Sequence, residues 1–320
     1  MSQPNASQQQ QSKGPPYASK VASTGGLPSV IPDVPVCAVL LCFYIGFAIT
    51  NMTIFQLNRR RKYKFLPTVF IFGFCMSRLA TLVLRITWAT RQHNVRLAIA
   101  ANVFVNAGIL ILYLLNLIFT QRILRATHPK IGWHAILSIT FKVFYAAIGA
   151  ALAMVITAAI IGAYTLNTST LEKVRDVQLA AITFLLIFVN LPLVLLALAH
   201  FLPHSSDEEH FGQGSMTKKK VIVLLVACLL ITIAGFKAGT AWMPPRPITK
   251  PAWYHSKASF YIFNFALEIT VLFILTLSRP DKGFHVPNGS KRPGDYTRLS
   301  ISAGPEITRE EREMYGVDKI

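Results

Sequence analysis

Apolar residues gather into seven long stretches, at 34–57, 65–88, 97–119, 139–164, 177–201, 221–242 and 258–277, separated by short polar segments. Each stretch approaches the ~20 residues that carry a helix across a hydrocarbon layer of about 30 Å. The apolar positions run together and do not alternate with polar ones, so a membrane β-barrel is excluded. The pattern predicts an all-α polytopic membrane protein, a bundle of seven transmembrane helices at 34–277. A polar N-terminal tail, 1–33, precedes it and a polar C-terminal tail, 278–320, follows. The first tail, with its glutamine run from Gln8 to Gln11 and Pro, Gly and Ser beyond, is expected to be disordered. It lacks the apolar core of a signal peptide, which leaves insertion to the first span.

Composition agrees. The chain is 52% hydrophobic and only 14% charged, against about 25% charged residues in soluble domains. The formal charge of +18 does not imply nucleic acid, because the basic residues border the spans and form no single face. They suit membrane orientation and anionic headgroups. The loops after spans one, three and five hold 11 Lys/Arg (Arg59, Arg60, Arg61, Lys62, Lys64; Arg122, Arg125, Lys130; Lys218, Lys219, Lys220). The opposite loops hold 7. The positive-inside rule then expects the N-terminus outside or lumenal and the C-terminus cytoplasmic. The glycosylation candidates Asn5 and Asn167 fall on the outer side in that orientation, while Asn288 would be cytoplasmic and Asn51 lies in a span.

Charges inside the spans carry the chemistry. Arg78 lies near the middle of span two, and Glu268 is the one acidic residue deep in an apolar stretch. Each is costly in hydrocarbon unless paired, so the two are expected to meet near the midplane. Arg85 stands seven residues from Arg78, on nearly the same helical face and about 10 Å higher. Lys237 of span six falls at a similar level, and the two cations are read as an outward-facing ring. Asn102 with Asn106, and Asn264 with Glu268, share faces at four-residue spacing, and Asn190 is near the midplane of span five. These residues form a predicted polar seam along the bundle axis. It serves either as a fixed helix clamp or as a surface for substrate or charge.

Other signals are bland. Cys37, Cys42, Cys75 and Cys228 all lie in spans, as small packing residues do. The Ala/Gly-rich span four is expected to pack internally. Pro192 is placed to kink span five beside Asn190. His200 and His204 have ligand-like spacing, but Pro203 breaks the helix that would align them. No metal or cofactor and no catalytic constellation is expected. His128-Pro129 with Gly132-Trp133 forms an interfacial turn, and the tail offers Thr297, Ser300 and Ser302 near Arg298 as phosphorylation candidates and Arg309–Glu313 as a short charged helix.

The segments Arg61-Lys62-Tyr63-Lys64-Phe65, Gly73-Phe74-Cys75-Met76-Ser77-Arg78, Leu84-Arg85-Ile86-Thr87-Trp88 and Asn116-Leu117-Ile118-Phe119-Thr120-Gln121-Arg122 resemble an uncharacterised fungal family of seven-span membrane proteins. More loosely, Phe260-Tyr261-Ile262-Phe263-Asn264 with Glu268 resembles the last span of the fungal lipid-translocating exporter group. Span three ends in Thr120-Gln121-Arg122, without an Asp-Arg-Tyr-like triplet, and span seven lacks Asn-Pro-x-x-Tyr and a retinal-linking lysine. The expected function is non-enzymatic transport or sensing of an amphiphilic, anionic, lipid-like molecule, with membrane lipids as partners. A seven-helix receptor or signalling scaffold is the alternative, and an intramembrane enzyme the third.

Overall fold

A computed structural model describes residues 14–19, 21–61, 65–203, 208–287, 289–290 and 292–297. The chain is an all-α multi-pass membrane protein. Seven helices are long and apolar enough to cross a membrane: α1 (Val30–Arg60), α2 (Pro67–Thr90), α3 (Val95–Thr127), α4 (Ala135–Tyr164), α5 (Thr168–Phe201), α6 (Met216–Trp242) and α7 (Lys257–Leu277). Their ends follow local chemistry. Asn94, Asn167 and Ser215 each accept hydrogen bonds from the next backbone N–H groups and so start α3, α5 and α6. Pro67 opens α2, where its missing N–H costs nothing. α5 runs through Pro192 as one helix.

Successive helices run antiparallel. One end of the bundle, here the first end, carries the starts of α1, α3, α5 and α7; the second end carries the starts of α2, α4 and α6. α3 is central, packing against α2, α4, α5 and α6, and α1 packs on α2 and α7. Burial follows that plan: 61% of the apolar window of α3 is inside the bundle against 17% for α4. The small residues of α4 pack internally only in part: Ala151 and Ala158 are buried. Ala146, Gly149, Ala150 and Ala153 are exposed, because α4 sits on the rim. Cys37 and Cys75 are buried, whereas Cys42 and Cys228 face outward.

The polar ends also differ from expectation. Residues 21–33 are not a loose tail. Ala22 and Gly25 donate backbone hydrogen bonds to Arg246 and His255, and Gln92 donates to the Pro28 carbonyl. The helical trace of α1 begins before residue 34, so Asp33 belongs to the bundle. At the second end, the Glu209 carboxylate accepts the N–H groups of Gly294 and Tyr296 at 2.7 and 2.9 Å. Tyr296 packs between Trp133 and Phe211. The expected interfacial turn is a helical turn, Pro129–Gly132, followed by Trp133, whose ring lies under the Arg125 guanidinium. The tail sites Ser300, Ser302 and Arg309–Glu313 lie outside the described residues, as do Gln8–Gln11, Asn288 and Arg298.

Candidate functional site

Two charged clusters are buried between α1, α2, α3 and α7. The first lies midway along the spans. α2 turns Phe74, Arg78, Thr81 and Arg85 inward, a helical stripe at steps of four and three. Arg78 and Glu268 are both wholly buried. Arg78 Nε donates to Glu268 Oε2 and Nη2 to Oε1, each at 2.6 Å, a two-point pair. Nη1 donates to the carbonyls of Phe104 and Val105 at 3.1 Å, and the guanidinium lies 5.1 Å from the Phe74 ring. Tyr44 donates its hydroxyl toward Glu268 at 3.4 Å. Most polar valences of the pair are thus met, as burial in low dielectric demands.

Two backbone features make room for it. Gly108 of α3 faces Arg78: a Cβ there would stand 2.7 Å from Ser77 Oγ and 3.0 Å from Arg78 Nη1. On α7 a π-helical turn, Ile262–Ala266, precedes Glu268, with the Leu267 N–H donating to the Ile262 carbonyl five residues back. Such a turn widens the helix. Here it lets Phe265 offer its carbonyl to Tyr44.

The second cluster lies toward the first end. Asp33 is wholly buried. Its Oδ1 accepts from Arg85 Nη2 at 3.0 Å and from the Tyr261 hydroxyl at 2.5 Å. Its Oδ2 accepts from Lys257 Nζ at 2.5 Å and from the Ser29 N–H at 2.8 Å. Lys257 also donates to Ser29 Oγ. Arg85 donates to the Gly25 carbonyl at 2.9 Å and lies 4.1 Å from the Phe260 ring. Gly25, at φ +82°, has no room for a side chain, since a Cβ would fall 2.6 Å from Phe260. The N-terminal segment thereby seals Arg85 in. The expected cationic ring is corrected accordingly: Arg85 does not face outward, because Asp33 neutralises it inside the bundle. α7 also begins at Lys257, so the last span does hold a lysine, but at its end and paired with Asp33.

Lys237 is the exception. Among the described residues it has no carboxylate within ion-pair distance. Half-buried on α6, it reaches Asn106 Oδ1 at 3.3 Å and the Val105 carbonyl at 3.5 Å. The Val105 carbonyl thus accepts hydrogen bonds from both Arg78 and Lys237, which keeps the two cations within two hydrogen-bond lengths of each other. The midplane cluster therefore holds two cations and one carboxylate. Asn102 and Asn106 are exposed beside it.

Among the described residues, only Asn106 of the seam asparagines hydrogen-bonds to another helix, through its oxygen and Lys237. Asn106, Asn190 and Asn264 donate to the carbonyls of Asn102, Leu186 and Phe260, each four residues back in its own helix. An asparagine NH2 satisfied this way needs no cross-helix acceptor. Only Asn264 of the three is buried, and Asn190 stays apart from the charges on α5. Asn116 of α3 is 1% exposed, with neither amide atom hydrogen-bonded among the described residues. Asn167 is exposed at the first end, where its side chain caps α5; Asn5 lies outside the described residues, as does His204 of the pair weighed as metal ligands.

Sequence reasoning missed Asp33, Tyr44, Gly108, Lys257 and Tyr261. Asp33 had a signal: an acid flanked by Pro32 and Pro35 at the head of an apolar run is a helix start. At the second end, Asp281 is held by Arg279 at 3.0 Å and Asn58 at 3.3 Å. Burial alone would raise its carboxyl, yet these bonds hold it below the usual range. It therefore stays ionised at neutral pH and ties α1 to the segment after α7. No family model, curated protein or solved structure matches the chain.

Proposed function

We propose that the protein binds an anionic, lipid-like amphiphile on the face between α3 and α6, in order to sense or move it, and that it does so without catalysis. The observation that carries this reading is the surplus cation: Lys237 stands at the depth of Arg78 with no carboxylate of its own among the described residues. An unpaired ammonium at that depth is expensive, and an anionic headgroup entering from the membrane would offset the cost. Asn102 and Asn106 add hydrogen-bonding groups beside it. The shared Val105 carbonyl links the occupied site to the Arg78–Glu268 pair.

The test is binding of a fluorescent phosphatidic acid to the reconstituted protein, against a phosphatidylcholine analogue. Lys237→Ala should weaken the anionic lipid about tenfold, the worth of one charge-assisted hydrogen bond. Lys237→Arg should keep most of the binding. Equal affinity for both lipids, or indifference to Lys237→Ala, would refute the reading. Uptake or flipping across the vesicles then separates transport from sensing.

A receptor or scaffold is favoured by a different observation, the clasp that holds residues 294–296 to Glu209 at the second end. In that reading the clasp reports the state of the bundle to the tail.

For orientation, the loop charges support a first end outside or lumenal and a second end cytoplasmic. A C-terminal reporter should then be shielded from protease in sealed cells and cleaved in sealed microsomes, and an N-terminal tag cleaved in cells or protected in the microsomal lumen. The reverse pattern at both ends would invert the assignment.

A further inference from the structure

A groove runs along the outer seam of α1 and α2, on a different face from Lys237. It has a volume of about 370 Å³ and is walled by Ile45, Ile49, Met52, Phe72 and Met76, with Gln56 at one end. Ile49 is 62% and Met76 46% exposed, so the walls open sideways, where the hydrocarbon lies. The α1 wall follows one helical stripe, at residues 45, 48, 49, 52, 53 and 56. Continued by three and four residues, that stripe ends on Arg59 and Arg60, both exposed. Their side chains make no ion pair or hydrogen bond with any described residue.

The length is informative. From Ile45 to Gln56 the helix rises about 16 Å, roughly half of a ~30 Å hydrocarbon core. The inner end of the groove reaches Leu79, next to Arg78 at the midplane. The site therefore matches one leaflet in depth, apolar to the middle of the membrane and doubly cationic at the headgroup level of the second end.

We propose that this groove is a binding site for one anionic glycerophospholipid of the second-end leaflet, with an acyl chain laid along α1 and α2. Arg59 and Arg60 hold its phosphate, and Gln56 donates at the level of the ester. Annular lipid would fill any apolar crevice without preference; the arginine pair at the foot selects by charge. In the orientation proposed above, this is the cytoplasmic leaflet, where anionic lipids concentrate. The site does not rest on the Lys237 reading.

The experiment is native mass spectrometry of the full chain in mild detergent, titrated with phosphatidylserine or phosphatidylcholine of identical chains. The wild type should retain phosphatidylserine about ten- to thirty-fold more strongly, as two headgroup-level cations imply. Arg59→Gln with Arg60→Gln should erase that preference and leave weak binding of both lipids. Ile49→Trp and Met76→Trp should each reduce retention of both, with unfolding temperature unchanged because both positions are exposed. Lys237→Ala should alter nothing. Inorganic phosphate should not displace the lipid. The proposal is overturned by equal retention of the two lipids by the wild type, by preference that survives loss of both arginines, by displacement with phosphate alone, or by a dimer that Ile49→Trp dissociates in place of lipid.

Discussion

Replacing Arg78 with alanine, or Glu268 with glutamine, should cost about 3–5 kcal/mol of stability, because each leaves its partner charged, wholly buried and unpaired. Relief is scarce at this depth. Neither side chain can snorkel from the middle of its span, and the neighbours are the Phe74 and Phe265 rings and the Tyr44 hydroxyl. Arg78→Lys should be damaging too. A lysine keeps the charge but loses the two-point grip on Glu268 and the bonds to the Phe104 and Val105 carbonyls. The double replacement Arg78→Met with Glu268→Met should be far milder than the sum of the single ones, since it removes both charges and fills the space. The measurement is a double-mutant cycle on thermal unfolding of the detergent-solubilised protein. Additive losses would show that the two groups are energetically independent. Gly108→Ala offers a separate check, because the added methyl would press on Ser77 and Arg78 and should destabilise by about 1–3 kcal/mol.

Asp33→Asn should have the next largest effect, about 3 kcal/mol, and should loosen the first end before the whole bundle melts. Asp33 joins four elements: the N-terminal segment through Ser29, α1 itself, α2 through Arg85, and α7 through Lys257 and Tyr261. With the carboxylate gone, Arg85 stays buried against Phe260 without a counter-charge. The cost falls below that of the midplane pair because Lys257 is 31% exposed and can turn toward water. Lys257→Met should accordingly cost less than Asp33→Asn, since Arg85 still balances Asp33. The readouts are thermal unfolding and hydrogen exchange of residues 21–29. Asp33→Asn should speed exchange at the N–H groups of Ala22 and Gly25, which bond to Arg246 and His255. Unchanged exchange there would mean that the segment is held by something other than this carboxylate.

The one-dimensional features of this protein were set by the sequence. Spanning length, apolar content and charge at the borders are local properties, so seven membrane helices were legible without coordinates. That Arg78 and Glu268 each needed a partner was legible as well, because the cost of burying either is intrinsic to the group. Their meeting also required Gly108 and the π-helical turn of α7, which matter only once helices approach. The tertiary structure alone decided the fate of Arg85. By sequence it belonged to an outward-facing cationic ring, and its true partner, Asp33, lay in a segment too polar to be counted with the spans. Only when residues 21–29 fold back over the first end does that carboxylate enter the bundle. The asparagines show the converse. Four-residue spacing placed them on common faces, but an amide NH2 that can bond to the carbonyl one turn back has no need of an acceptor on a neighbouring helix. Lys237 drew its significance from the same source. By sequence it stood at the level of Arg85, but its ammonium reaches the Val105 carbonyl beside Arg78, and among the described residues it lacks a counter-charge because the acids of α1 and α7 are taken by Arg85, Lys257 and Arg78. Hydrophobic patterning sets which segments enter the membrane, while the pairing of charges there depends on packing that no single segment encodes.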